Sequence, residues 1–178
     1  MKKIALILAL IMSLSLFAAC GASASNSNSA GLPEDLNEIM DKLYDGIGQD
    51  ERPMMADADM LNDVYPDTQK EGDKYRRVTE ATAESDLGVT VDRFEEALVS
   101  ESMMAMPYEV AVVRAKSAEE ATQLANDIKE NINPRKWVCV EADKVTVETC
   151  NDIVLLVMVG EDLHELGDKV VANFKALG

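Results

Sequence analysis

The sequence has few aromatic residues, one histidine and little basic charge, and each shortage argues against a class of function. Aromatic residues make up 4% of the 178 positions, and the single histidine is His164. Catalysis by a nucleophile beside a histidine base therefore has almost no candidate. The 17 Lys and Arg residues face 33 Asp and Glu residues, for a net charge of −16. A nucleic-acid binder needs clustered basic residues to neutralise phosphates, so we expect no nucleic-acid partner.

Known catalytic motifs are also missing. The sequence contains no G-x-S-x-G, no S-x-x-K and no glycine-rich phosphate loop. Paired carboxylates occur throughout such an acidic chain, and nothing in their spacing selects two of them as an acid and a base. We therefore predict that the protein is not an enzyme and needs no cofactor.

Residues 1–19 have the pattern of an export signal. Lys2 and Lys3 give a positive start, and an apolar run from Ile4 to Phe17 follows. A helix of this run would extend roughly 21 Å, against about 30 Å for the hydrocarbon core of a bilayer. We interpret residues 1–19 as a lipoprotein signal peptide and not as a permanent membrane span.

The residues at the end of this segment predict a lipid anchor. Phe17-Ala18-Ala19-Cys20-Gly21 resembles a bacterial lipobox, in which small residues precede a cysteine that is lipidated on its thiol and becomes the first residue after cleavage. Phe17 stands where leucine is usual. The alternative is an ordinary secretory signal cut after Ala19, which would leave Cys20 as a plain thiol. We predict lipidation at Cys20, because two acyl chains give the stable anchoring that one chain cannot.

The predicted mature protein is an acidic domain on a short tether. Cleavage before Cys20 leaves 15 basic and 33 acidic side chains, a net charge of −18. Residues 20–31 contain the lipidated cysteine and an uncharged run of small residues that cannot bury enough apolar surface to fold. Residues 32–178 are long enough for a single domain. The predicted location is the extracytoplasmic face of the cell membrane.

Hydrophobic periodicity in residues 32–178 predicts helices that alternate with strands. Four segments carry helical signals: 33–48, a segment beginning at Thr90, 117–133 and 161–177. Strands are predicted at 108–115, 137–141, 145–150 and 153–159, with a tight turn at Asn151 and Asp152. Residues 49–87 contain many acids and several breakers, so we expect short turns and loops there. The order favours an α+β fold, a two-layer domain with helices packed on a small, mostly antiparallel sheet.

Candidate metal sites in the sequence are incomplete, and we predict no metal site. Residues 67–78 provide several oxygen ligands of a calcium loop, but the twelfth position is Val78 in place of the bidentate glutamate. Six methionines could supply thioethers to copper, although packing in the core is the favoured explanation; they are Met54, Met55, Met60, Met103, Met104 and Met106. The favoured state of Cys139 and Cys150 is two buried thiols, with a disulfide as the alternative, because the predicted hairpin sets them apart along the sheet.

One stretch resembles a known family. Residues 86–116 combine a glycine turn at Gly88, an acidic segment, a serine- and methionine-rich segment at 102–104 and a strand with an early glutamate, Glu109. This pattern is similar to a Gram-positive bacterial lipoprotein family catalogued as domain of unknown function 4358. The similarity extends through the predicted helix at 117–133 and the strand at 153–159. The resemblance implies a lipid-anchored extracytoplasmic protein and supplies no activity and no catalytic residues.

Taken together, these features predict a non-catalytic binding or interaction module of the cell envelope. The expected partners are the membrane, through the lipid on Cys20, and another envelope protein. Two alternatives remain open: a lipoprotein that binds a solute or a cation, and an accessory factor for the modification of envelope polymers.

Overall fold

A computed structural model describes residues 31–178, and a five-stranded antiparallel sheet lies at its centre. The strands are β1 (Arg76–Arg77), β2 (Glu96–Glu101), β3 (Tyr108–Arg114), β4 (Lys144–Cys150) and β5 (Ile153–Val159). Their order across the sheet is β1-β2-β3-β5-β4. Of the three interior strands, β5 is entirely apolar and β3 is largely so, which suits strands covered on both faces.

Five helices accompany the sheet: α1 (Leu36–Leu43), α2 (Ala58–Val64), α3 (Ala83–Leu87), α4 (Ala118–Asn131) and α5 (His164–Lys175). Short 3₁₀ turns occupy Gln49–Glu51, Val91–Arg93 and Glu161–Leu163. The side chains of Asp35, Asp57 and Ser117 accept hydrogen bonds from backbone N–H groups in the first turns of α1, α2 and α4. The predicted helices at 33–48, 117–133 and 161–177 are present with shorter bounds.

The α+β class is confirmed, and helices cover both faces of the sheet. Helix α4 packs its apolar stripe on one face, against alternate residues of the inner strands such as Ala111 and Leu156. Helices α1 and α5 cover the opposite face, where Val112 and Leu155 lie. The arrangement therefore has a sheet between two helical layers and not the expected two layers, because the apolar strand residues point alternately to both sides.

The helix predicted from Thr90 is wrong. Residues Val91–Arg93 form one 3₁₀ turn, and the chain then enters strand β2. The spacing of Val89, Phe94 and Leu98 fitted a helix, but Leu98 lies between β1 and β3 in the sheet. Pairing with strands far apart in sequence overrides the local helical pattern here.

The strand predicted at 137–141 is also wrong. The chain from 132 to 143 is irregular, with Val138 fully exposed and Cys139 exposed. The burial expected for Cys139 is therefore wrong, while Cys150 is half-buried at the end of β4. The described part of the chain contains no disulfide. Cys20 and the predicted signal peptide lie outside the described residues.

Candidate functional site

A groove of about 700 Å³ lies beside the carboxyl-terminal half of β2, and Val99, Ser100 and Glu101 form part of its lining. Its outer wall is the segment from residue 49 to residue 65, and this segment is fixed to the end of β2 by backbone contacts. Met55 forms an isolated bridge with Ser102, and the Met103 N–H donates to the Met54 carbonyl at 2.9 Å. The groove volume lies within the range of small-molecule sites in proteins.

Methionine side chains give this groove its apolar surface. Met54 is 65% exposed and Met103 is 49% exposed, and Met55 and Met60 line the same groove. The expectation that these methionines pack in the core is therefore wrong for most of them. In the segment from residue 49 to residue 65, Leu61 is buried, whereas Met54 and Met60 remain exposed. Thioether side chains are flexible and polarizable, and they adapt to ligands of different shape. Copper binding by these thioethers stays an untested alternative.

A group of three tyrosines adjoins the groove, and one of them, Tyr75, lines it. The Tyr44 and Tyr108 hydroxyls are 2.8 Å apart, and the Tyr44 ring stacks on Tyr75 with 6.4 Å between centroids. The Tyr75 hydroxyl donates to Asp41 at 2.9 Å. Burial raises the pKa of all three phenols, so they remain neutral donors and acceptors at physiological pH.

The guanidinium of Arg52 covers this tyrosine group on the groove side. Its central carbon lies 4.9 Å from the centroid of the Tyr44 ring, which is the geometry of a cation–π contact. Arg52 also lines the groove. A positive side chain thus stands at the boundary between the buried phenols and the open groove.

A buried group of charged residues lies next to the groove, and we call it the charge cluster: Arg76, Asp86, Glu101, Glu109 and Lys136. Each member comes from a different segment, namely β1, α3, β2, β3 and the irregular chain after α4. Strand register sets Glu101 directly across from Glu109. Like charges in such a pair repel, so the fold must supply cations between them.

Two cations link the three carboxylates of the charge cluster. Arg76 donates two hydrogen bonds to Asp86, at 2.8 and 3.0 Å. The Lys136 ammonium contacts Glu109 directly and lies 3.2 Å from Asp86 and 3.3 Å from Glu101. The Trp137 indole N–H donates to Glu101 at 3.0 Å. Arg76 and Glu101 also line the groove, so the cluster forms part of its wall.

Glu109 is the member whose protonation state is most perturbed. Its side chain is 0% exposed, and its Oε1 atom has no hydrogen-bond partner among the described residues. Burial raises its pKa to about 8, in spite of the opposing effect of Lys136. A protonated Glu109 leaves two carboxylates facing two cations, so the buried cluster is then electrically neutral. Burial also disfavours charge on Asp86, but its bonds to Arg76 outweigh burial and lower its pKa.

The three carboxylates are close enough to suggest a metal site. One oxygen from each of Asp86, Glu101 and Glu109 lies within 4.8 Å of the others. The Lys136 ammonium, however, lies among these oxygens, where a metal cation would bind. We therefore interpret the charge cluster as an internal set of ion pairs.

Residues 67–78, whose spacing of oxygen ligands resembles a calcium loop, also have a carboxylate that binds a cation of the protein itself. Arg77 donates to both oxygens of the buried Asp73, at 2.8 and 2.9 Å, and to Glu96 at 3.1 Å. Arg76 and Arg77 point to opposite faces of the sheet because they are neighbours in a strand. The adjacent arginines therefore form two separate buried ion pairs and no basic patch.

In residues 86–116, the stretch that resembles a lipoprotein family, the structure explains why some positions carry the residue they do. Gly88 ends α3 with φ +69°, and a Cβ there would lie 2.6 Å from backbone atoms of Asn131 and Ile132. Only glycine fits that position without displacement. Glu109 belongs to the charge cluster, whereas Asp92 and Glu95 are exposed.

The single histidine has one polar partner. His164, the first residue of α5, is partly exposed, and its Nε2 atom lies 2.9 Å from a carboxylate oxygen of Asp143.

No pattern in the sequence predicts that Lys136 pairs with Glu109, or that Asp86 lies beside them. The available signal in the sequence is the pair Lys136 and Trp137, of which Trp137 begins the predicted strand 137–141. Comparison with known proteins adds no assignment, since no family model, no curated protein and no solved structure matches this chain. Within residues 31–178, no helix combines the length and the apolar character needed to cross a bilayer.

Proposed function

We propose that this chain is a lipid-anchored, non-catalytic binding protein of the bacterial cell envelope, and that its ligand occupies the methionine-lined groove. The observation that carries the proposal is the groove itself, with four methionines on its walls and a volume of about 700 Å³. Signal and lipobox patterns in residues 1–20 support export and anchoring.

The chemistry of the groove favours binding over catalysis. Its lining contains no histidine, cysteine or lysine among the described residues. The Ser100 hydroxyl donates to the Met55 sulfur at 2.7 Å, and its other side-chain partner is the neutral phenol of Tyr44. Glu101 is held by contacts from Arg76, Lys136 and Trp137. A group so occupied is poorly placed to take a proton from a substrate.

Photo-crosslinking in cells tests the groove and identifies what it binds. Benzoylphenylalanine replaces Val64, a groove residue that is 61% exposed, in the full chain expressed in a lipoprotein-processing bacterium. The matched control replaces Val91, which is 38% exposed and lies outside the groove lining. We expect an ultraviolet-dependent adduct at position 64 only. Its mass separates a small solute from an envelope protein, and equal adducts at both positions, or none at 64, contradict the proposal.

Anchoring is tested separately with Cys20→Ser. The unaltered chain should fractionate with membranes and incorporate a palmitate analogue, because the lipid is attached through Cys20. The variant should appear in the medium without label. Retention of the unlabelled variant in the membrane fraction would contradict lipid anchoring and leave the groove proposal standing.

A further inference from the structure

Within residues 31–178, Arg52 is the arginine that makes no ion pair with a described residue. All six arginines lie within residues 31–178. Five of them bind carboxylates within 4.0 Å; they are Arg76, Arg77, Arg93, Arg114 and Arg135. Arg52 makes no such contact with a described residue, although acids outnumber bases about two to one in this chain. A half-buried arginine without a carboxylate is therefore a specific feature of the groove.

Three acids near Arg52 in sequence or in the groove are engaged with other groups. Glu51 pairs with Lys169 and accepts the Gly48 N–H at 3.0 Å. The Asp57 side chain accepts the Met60 N–H at 2.9 Å as the cap of α2. Glu101 belongs to the charge cluster. These three carboxylates therefore already have partners other than Arg52.

The side-chain N–H groups of Arg52 are open to a ligand. The guanidinium carbon lies 4.9 Å from the Tyr44 ring centroid, and the Arg52 side chain donates no hydrogen bond to a residue within 31–178, although a guanidinium carries five N–H donors in its plane. Two parallel N–H groups match the two oxygens of a carboxylate. The rest of such a ligand would contact Met54, Met55 and neighbouring groove residues, which favours an apolar body.

The edge of β2 favours a small molecule over an extended peptide. Strand β1 already pairs with Leu98 and Val99, and Met55 pairs with Ser102. Only the short interval between these contacts remains for strand addition, which needs a longer free edge. The volume of about 700 Å³ suits a compact ligand.

We propose that the groove binds a small carboxylic acid with an apolar body, its carboxylate on Arg52 and its body on the methionines. This inference rests on the proposed function of the groove as a binding site. The net charge of −16 repels anions at long range, so affinity comes from local contacts. An acid without an apolar body, such as acetate, should therefore not bind.

Methionine methyl NMR on the full chain carrying Cys20→Ser tests the proposal directly. Methyl-¹³C methionine reports on the groove through Met54, Met55, Met60 and Met103, while the buried Met40 and Met158 serve as internal controls. The probes are 4-phenylbutyrate, 4-phenylbutanol and 4-phenylbutylamine, which share one apolar body and differ in the head group. We expect saturable shifts of the groove methyls with the acid, and a Kd at least about tenfold weaker for the alcohol and the amine.

Variants at position 52 assign the head-group preference. Arg52→Gln should bring the Kd of 4-phenylbutyrate to that of the alcohol, and Arg52→Lys should fall between because it keeps charge but loses the planar donors. Arg135→Gln, at an exposed arginine outside the groove, should change nothing. Unchanged Met40 and Met158 signals establish that each variant is folded.

The outcomes separate this inference from the proposed function. If the alcohol or amine binds the groove as tightly as the acid, or Arg52→Gln leaves the acid's Kd unchanged, carboxylate recognition is wrong and the groove remains a binding site. If no probe shifts a groove methyl, carboxylate recognition is again wrong, and the crosslinking experiment at Val64 decides independently whether the groove binds a ligand.

Discussion

Replacement of Glu109 by glutamine should remove a pH dependence from the stability of the folded protein. The folded chain retains the Glu109 proton up to a pKa of about 8, against an ordinary value of 4.5 for the unfolded chain. Between these values the folded state binds more protons than the unfolded state, so stability falls as pH rises. Glutamine mimics the protonated carboxyl in size and charge and has no proton to lose in this interval.

The magnitude follows from the size of the pKa shift. Each pKa unit corresponds to about 1.4 kcal/mol, so full titration of Glu109 costs the folded state about 5 kcal/mol between pH 4.5 and pH 8. With a urea dependence of about 2 kcal/mol per M, this cost lowers the unfolding midpoint by about 2.5 M relative to Glu109→Gln. The cost arises because ionisation leaves an excess negative charge in a fully buried site.

Urea unfolding at pH 5, 6, 7 and 8 measures this difference through the fluorescence of Trp137, the only tryptophan, which donates to Glu101 beside Glu109. The gap between the variant and the unaltered protein should widen as pH rises. The exposed Glu130→Gln is the matched control and should run parallel to the unaltered protein. Parallel curves for Glu109→Gln as well would refute the buried proton.

Three further predictions test other parts of the structure. Lys136→Met should destabilise the fold by about 3 kcal/mol or more at pH 7, because it leaves buried carboxylates without their cation, and adding Glu109→Gln should restore part of the loss in urea unfolding. Gly88→Ala should cost about 2–4 kcal/mol, because φ is +69° and the new Cβ meets backbone, whereas Gly46→Ala, at φ +72° with nothing within 4 Å, should cost about 1 kcal/mol; equal melting temperatures for the two variants would contradict this. Dilute peroxide should oxidise the exposed methionines well before the buried ones, as read by peptide mass spectrometry, and simultaneous oxidation would contradict the surface position of the groove methionines; the exposed set is Met54, Met60, Met103 and Met104, and the buried set is Met40 and Met158.

The parts of the fold that could be predicted are those in which local pattern and tertiary environment agree. Helix α4 starts directly after Ser117, the first residue of the predicted segment 117–133 and the cap of the helix, and strand β5 has the predicted bounds 153–159. The predicted turn at Asn151 and Asp152 is present, with Asn151 at φ +53°. In each case the apolar period, the cap or the turn residue specifies one structure by itself.

The parts that failed are those in which distant residues decide the structure. The segment after Thr90 carries a helical spacing, yet its continuation is β2 because β1 and β3 pair with both of its edges. Residues 137–141 resemble a strand, but Lys136 and Trp137 instead reach the charge cluster. The hydrogen bonds and ion pairs gained there are absent from any local window of the sequence.

The sequence by itself determined the acidic character, the α+β class and the apolar strand β5, since all of these depend on composition or on short-range period, while export and anchoring through residues 1–20 stay a prediction from the sequence. Only the tertiary structure decided that Glu109 meets Lys136, that Arg52 has no carboxylate, and that methionines from two segments share one groove. Such contacts join residues up to about 50 positions apart along the chain. Their energies depend on burial and on the full set of neighbouring charges, which exist only after the strands have paired.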